Sequence, residues 1–311
     1  MKTLSLIAIF ILHACGLWGQ LTPHHRAQLS AAATDTPTGA MPPAIMKPYD
    51  PPPAAPIAAL PIQTGSAPLH SGATSALAID TATDTVLFSQ NADAKRPIAS
   101  LTKLATVLVI LDRHHPTDLV KIPPLPQYAD GDQLAGLQAG EIYTVGDLVR
   151  AALINSSDDA ADALALWDSG TTTQFTARMN AKMLQWGITG VHFSNPSGLI
   201  DANNYATATA LAKIAQLAIA SPFVRTAVSQ TQVVITAGSG RTLTLPTTDD
   251  LLASGQFYGI KTGYTPAAGE CFVGLARING HEVITVVLNA GDRFAATTQI
   301  TNWIGNNWQW L

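Results

Sequence analysis

The chain has 311 residues, 47% of them hydrophobic and 12% charged, with a formal net charge of -4. That length and apolar fraction suffice to bury a large core in one domain or two. The charge balance gives no reason to expect nucleic-acid binding, and no basic run is interleaved with aromatics. The two cysteines, Cys15 and Cys271, lie in segments of different character, so no disulfide framework is expected. Cys271 sits in an apolar stretch and reads as a buried, inert thiol.

Residues 1–20 read as an export signal, with Lys2 as the positive n-region and Leu4–Leu12 as a short apolar core. Extension through Ala14–Gly19 would make it a weak membrane anchor, and Leu12-His13-Ala14-Cys15 resembles a lipoprotein cleavage box. Export is the reading preferred over lipidation. Residues 21–73 are rich in Pro, Ala and Thr, with Pro51-Pro52-Pro53 at their centre. Such a segment cannot bury enough apolar surface to fold and tends toward extended chain. It reads as a linker, and a cleaved pro-segment would have the same composition.

The folded part is expected from Thr74 to Leu311. Ser75–Asp80 and Thr85–Ser89 form a hairpin around Thr81–Asp84. Leu101–Leu111 is an apolar helix with Ser100 at its mouth, and Val145–Leu166 and Ala206–Ala220 are further helices with apolar spacing. Gln232–Thr236 and Thr242–Leu245 flank Gly238-Ser239-Gly240 as a second hairpin. Gly259–Thr262, Cys271–Ile278 and Val283–Leu288 are late strands, the last two joined by a tight Asn279-Gly280 turn. A helix over Ala295–Trp308 closes the chain, with Trp303, Trp308 and Trp310 packing it on a sheet. Strands at both ends and helices between predict an α+β fold, an antiparallel sheet flanked by helices with a helical insert.

Two short motifs carry chemistry. In Ser100-Leu101-Thr102-Lys103, the i, i+3 spacing on a helix puts the lysine beside the serine. A serine hydroxyl needs such a base to become a nucleophile, and a lysine serves only if burial or a second cation lowers its hold on the proton. Lys261-Thr262-Gly263, in a strand, supplies a second cation, a hydroxyl for a carboxylate, and a glycine where a ligand approaches the strand edge. Between them, Ser156-Ser157-Asp158 offers Ser156 as a hydroxyl shuttle. Ser89-Gln90-Asn91 precedes Ser100 and is set aside as coincidence. Each motif alone is weak; in this order they reinforce one another. His24-His25 and His114-His115 read as solvated, His192 and His281 as isolated, and no spacing resembles a zinc site.

With these motifs the chain resembles the D-alanyl-D-alanine carboxypeptidases, low-molecular-mass penicillin-binding proteins of serine peptidase family S11. The resemblance extends to Arg96-Pro97-Ile98-Ala99, Gly136-Leu137 with Gly140-Glu141, Asn195-Pro196-Ser197-Gly198-Leu199, and Gly259-Ile260 before the Lys261 motif. It implies a penicillin-binding-protein-like fold and an exported, cofactor-free enzyme acting on peptidoglycan stem peptides, with β-lactams as covalent inhibitors and no nucleic-acid partner. Ser100 is then the nucleophile, Lys103 the general base and Ser156 the proton relay. Lys261 and Thr262 hold the terminal carboxylate, with Gly263, Tyr264 and Asp158 completing the substrate-binding set, and the backbone N–H groups of Ser100 and Tyr264 form the oxyanion hole. Asp158 stands where the family carries Asn. It is expected to pair with Lys103, hold its proton more firmly and weaken the base, so that Asp158→Asn would speed acylation. A class A β-lactamase is disfavoured because no Glu lies between Glu141 and Glu270. A D,D-endopeptidase shares the same residues, and a non-catalytic cell-wall or penicillin binder is the remaining alternative.

Overall fold

The computed structural model describes residues 59–129, 131–199 and 203–311. The expected leader, the Cys15 box and most of the linker lie outside these residues. Five antiparallel strands form the main sheet: β1 (Ala73–Asp80), β2 (Val86–Gln90), β3 (Phe257–Thr265), β4 (Gly269–Ile278) and β5 (His281–Ala290). Their spatial order is β3-β4-β5-β1-β2, so the chain's early hairpin joins its late strands through the β5–β1 pair. The Asn279-Gly280 turn behaves as its sequence predicts, with φ of 50° and 88°, the doubly positive pattern that a two-residue hairpin requires.

Strand periodicity divides the core. On β1, Leu77 and Ile79 face one side with Ile284, Val286 and Leu288 of β5, whereas Ala76 and Ala78 face the other with Val283 and Val287. The first side packs against a helical lobe containing α1 (Thr102–Leu111), α2 (Asp158–Ser169), α3 (Thr172–Gln185) and α4 (Ala208–Ala220). The second is covered by α5 (Arg293–Asn307) through Ala296, Ile300 and Ile304. Each fully buried Ile or Val on these faces contributes about 1.5–3 kcal/mol.

Two findings differ from the sequence reading. The folded part begins before Thr74: Pro61–Gln63 pairs antiparallel with Trp308–Trp310, and Trp303 donates its indole N–H to Ala67 O at 2.7 Å. A partner strand fixes this Pro/Ala-rich stretch where its own composition does not. Of the tryptophans, Trp310 stacks on His281 at 4.8 Å and donates to Asp80 Oδ2 at 2.8 Å. His114, read as solvated, instead packs on Trp167 at 4.4 Å and bonds Asp168 at 2.8 Å.

Asp168, its side chain 1% exposed, also takes Arg178 at 2.6 Å and Arg113 at 3.2 Å, tying the end of α2 to α3 and to the segment after α1. An amide there leaves one acceptor for these donors. We predict that Asp168→Asn lowers unfolding free energy by about 2–3 kcal/mol in urea titration, with the acylation rate of the folded protein unchanged.

Candidate active site

Ser100 lies in a 3₁₀ turn, Ala99–Leu101, that runs directly into α1. The turn is set by Ala99, whose φ is 48°, and by Thr102 Oγ1 donating to Ala99 O at 2.8 Å. Gly198 presses against it so closely that a β-carbon there would sit 2.0 Å from Ala99 O. Gly263 on β3 does the same from the sheet side, 3.0 Å from Ile98 O by the same measure. The sequence-predicted glycine therefore serves the packing of the Ser100 turn against the strand.

One helical turn on, the Lys103 side chain is fully buried, with 0% exposure. Its Nζ donates to Ser100 Oγ at 2.8 Å, Asp158 Oδ1 at 2.5 Å and Ser197 O at 2.8 Å. An ammonium has three hydrogens, and this geometry uses them all. Asn195 holds the loop that supplies Ser197, accepting from Gly198 N at 2.6 Å and donating to Leu199 O at 2.8 Å.

The expected single helix over Val145–Leu166 is broken at the motif. Val145–Arg150 is α-helical, Ala151–Asn155 widens to a π-turn, and Ser156 takes left-handed angles of φ 65° and ψ 25° before α2 begins. Such a conformation for a serine costs about 1 kcal/mol or more and persists only where surroundings impose it. Here Ser157 Oγ donates to Asn155 Oδ1 at 2.9 Å, and Asn155 Nδ2 donates to Pro246 O at 3.0 Å. Helical apolar spacing resumes at Ala160 after the polar run Asn155–Asp159, so the two flanks read as one helix.

Asp158 and Asp159 open α2 and grip the loop in front of it. Asp158 N donates to Gln133 O at 2.7 Å, and its Oδ2 accepts from Gln133 N at 3.2 Å. Asp159 accepts from the N–H groups of Ala135, Gly136 and Leu137 at 2.8–3.0 Å. That gives the Gly136-Leu137 motif its local reason. Burial pushes the Asp158 carboxyl above its ordinary range, against the pull of Lys103 and then Lys261. Asp162, one turn on, is raised by burial to about 6 and accepts the Tyr128 hydroxyl at 2.9 Å.

Ser100, Ser156, Asp158, Thr262, Gly263 and Tyr264 all line one open cleft of about 380 Å³. Lys261 lies behind the cleft wall, 1% exposed, its Nζ donating to Thr262 O at 2.9 Å. Burial, then the nearby Lys103 charge, depress its pKa well below the ordinary lysine value. Among the lining residues that escaped the sequence reading, two make contacts with the Lys261-Thr262-Gly263 strand. Thr248 shares a 2.5 Å hydroxyl–hydroxyl bond with Thr262. Arg293 donates to Gly263 O at 2.8 Å and pairs with Glu270 at 2.6 Å, and it is the only basic residue among those lining the cleft. It belongs to no motif; its one signal is being the sole Lys or Arg after Arg277. Cys271, paired with Gly263 across the sheet, is a buried free thiol whose pKa burial raises to about 11.

The family profile of the D-alanyl-D-alanine carboxypeptidases, peptidase S11, matches residues 62–292. The chain is 33% identical over 240 residues to a D-alanyl-D-alanine endopeptidase of Escherichia coli, covering 74% of this chain and 76% of that one. It is 28% identical to the carboxypeptidase DacF of Bacillus subtilis over 74% of this chain, and spans 60% of that relative's length. Among solved structures it resembles a Streptomyces DD-transpeptidase variant, with TM-score 0.69 and 29% identity over 75% of this chain and 97% of the other. It is also similar to a penicillin-binding protein of Listeria monocytogenes in an ampicillin-bound form, with TM-score 0.66 and 30% identity over 78% of this chain and 100% of that one. A buried lysine bonded to a serine at the mouth of a helix, facing a Lys-Thr-Gly strand, is the setting of these matches, and the chain belongs to serine peptidase family S11, the D-alanyl-D-alanine carboxypeptidase family of low-molecular-mass penicillin-binding proteins.

Proposed function

We propose that the chain is an exported serine-type D-Ala-D-Ala carboxypeptidase that removes the terminal D-Ala of peptidoglycan stem peptides. The observation that carries this reading is the 2.8 Å bond between Lys103 Nζ and Ser100 Oγ, set in a cleft whose wall holds Thr248, Thr262 and Arg293. Ser100 attacks the carbonyl of the penultimate D-Ala, with Lys103 as general base. The N–H groups of Ser100 and Tyr264 stabilise the oxyanion. Ser156 relays a proton to the leaving amine, and water releases the acyl group.

The two threonine hydroxyls and Arg293 hold the substrate carboxylate, with Lys261 adding positive field from behind the wall. Arg293 thus takes the exposed cationic role that the motif alone would give to Lys261. A bidentate guanidinium suits a carboxylate better than a point charge does.

Cleavage of peptide cross-links is a second reading, supported by the endopeptidase relatives of E. coli and Pseudomonas aeruginosa at 33% and 32% identity. A D-centred cross-link also presents a carboxylate beside the scissile bond, so the same wall serves both. A purely binding role gains nothing from the intact Ser100–Lys103 bond.

Intact mass after incubating the protein with penicillin is expected to show one adduct, absent in Ser100→Ala; no adduct on the native chain would overturn the nucleophile assignment. Release of D-Ala from a monomeric pentapeptide is expected to exceed cleavage of a cross-linked dimer, and the reverse preference would establish the endopeptidase. Gly198→Ala, which forces the Ser100 turn to move, is predicted to slow acylation about a hundredfold while the adduct still forms at long times.

A further inference from the structure

Ser197 O, Ser100 Oγ and Asp158 Oδ1 consume all three hydrogens of the Lys103 ammonium. In that state Nζ has no lone pair with which to take the Ser100 proton. One Nζ proton must leave first, and the bonded partners differ sharply as acceptors. An amide carbonyl is a very weak base, and the Ser100 hydroxyl is the group to be deprotonated. Only the Asp158 carboxylate accepts a proton readily, and it is the nearest of the three at 2.5 Å.

We propose that Asp158 is the proton acceptor that converts Lys103 into the base, so that the acid standing in this motif activates the site instead of weakening it. This rests on the reading of Ser100 as nucleophile and Lys103 as base. One Nζ–H proton passes to Asp158 Oδ1, leaving a neutral amine beside a neutral carboxylic acid. Ser100 Oγ–H then gives its proton to the freed Nζ lone pair as Oγ bonds the substrate carbonyl carbon, whose π electrons move to oxygen. When that oxyanion collapses and the C–N bond breaks, the Nζ proton passes to the leaving nitrogen through Ser156. The Asp158 proton returns to Lys103, and no net charge enters or leaves the Lys103–Asp158 pair over the cycle.

The surroundings favour this exchange. In water, aspartate and lysine differ by about six and a half pKa units, which forbids the neutral pair. Burial raises the Asp158 carboxyl and so narrows that gap, and the pair is buried on both sides, 0% and 2% exposed. Gln133 N–H holds the second carboxylate oxygen at 3.2 Å, fixing Oδ1 toward Nζ. Among the charged and titratable groups around Asp158, Lys261 favours its ionised form, while Asp162 opposes it and accepts the Tyr128 hydroxyl. Asp159 is committed to the N–H groups of the 135–137 loop and of Ala160. An asparagine at 158 keeps one acceptor for Lys103 but takes no proton, and turns an N–H donor or a lost bond toward Gln133.

The test is the pH dependence of acylation by a fluorescent penicillin, followed by stopped flow in the native protein and in Asp158→Asn. Because the transfer is internal to the pair, the native rate constant should change by less than about threefold between pH 7 and pH 9. A lysine that must lose its proton to solvent instead gains about tenfold per pH unit below its pKa, and that slope in the native protein overturns the proposal without any variant. Asp158→Asn is expected to acylate about a hundredfold more slowly at pH 7 and to recover with rising pH. A merely structural defect lowers the rate at every pH without recovery, and an equal or faster variant at pH 7 restores the weakened-base reading; either outcome sinks the proposal. Failure of the native chain to form any adduct would instead strike the nucleophile assignment.

Discussion

The structure turns on one buried ammonium. Lys103 is fully buried, so its three hydrogens call for protein partners, and those groups come from three separate parts of the chain. Ser100 lies on its own helix, Asp158 opens the next long helix, and Ser197 belongs to a loop almost a hundred residues away. Satisfying that one charge fixes the mutual placement of a nucleophile, a carboxylate and a loop that a looser contact would leave free. The glycines beside the Ser100 turn express the same constraint in steric form, since Gly198 leaves no room for a β-carbon and Gly263 leaves only a tight one.

Charge in the cleft is arranged in depth. Lys103 and Lys261 are both buried, and the Lys103 charge disfavours the ammonium form of Lys261. Asp158 lies close enough to both to offset this. Arg293 lines the cleft, where Glu270 and Gly263 O fix its orientation. A guanidinium holds its charge through any accessible pH. On the proposed roles, anion recognition at the mouth is thereby separated from proton movement at the floor.

Much of this was legible before the structure. The spacing of Ser100 and Lys103 already implied their bond, because helical geometry leaves residues three apart on one face. Alternating apolar residues gave the strands, and Asn279-Gly280 gave their turn. What stayed hidden required partners distant in sequence. Ser156 lies in a polar run, Asn155–Asp159, between two flanks of helical apolar spacing, and the π-turn that displaces it is supported by contacts such as Asn155 to Pro246. Pro61–Gln63 has the composition of a linker and becomes a strand only because Trp308–Trp310 lies beside it. Arg293 reaches the cleft from the far end of the chain, and Asp158's second bond depends on a loop residue with no motif. Composition also hid the setting of His114, whose partner Asp168 is fifty-four residues on.

The pairing of β1 with β5 places Ile79 against Ile284 and Ala78 against Thr285. A chain delivered from its N-terminus therefore presents its first long strand some two hundred residues before the strand that completes it. Until then its only strand partner is the short β2, and a lone hairpin is marginal in water. Contacts of such long sequence separation form slowly and late. The Ser100 turn, packed against Gly263 of β3, shares this timing: Ser100 emerges early in synthesis, and its sheet-side wall only near the end. The order of the strands thus leaves the Ser100 turn among the last parts of the domain to be enclosed.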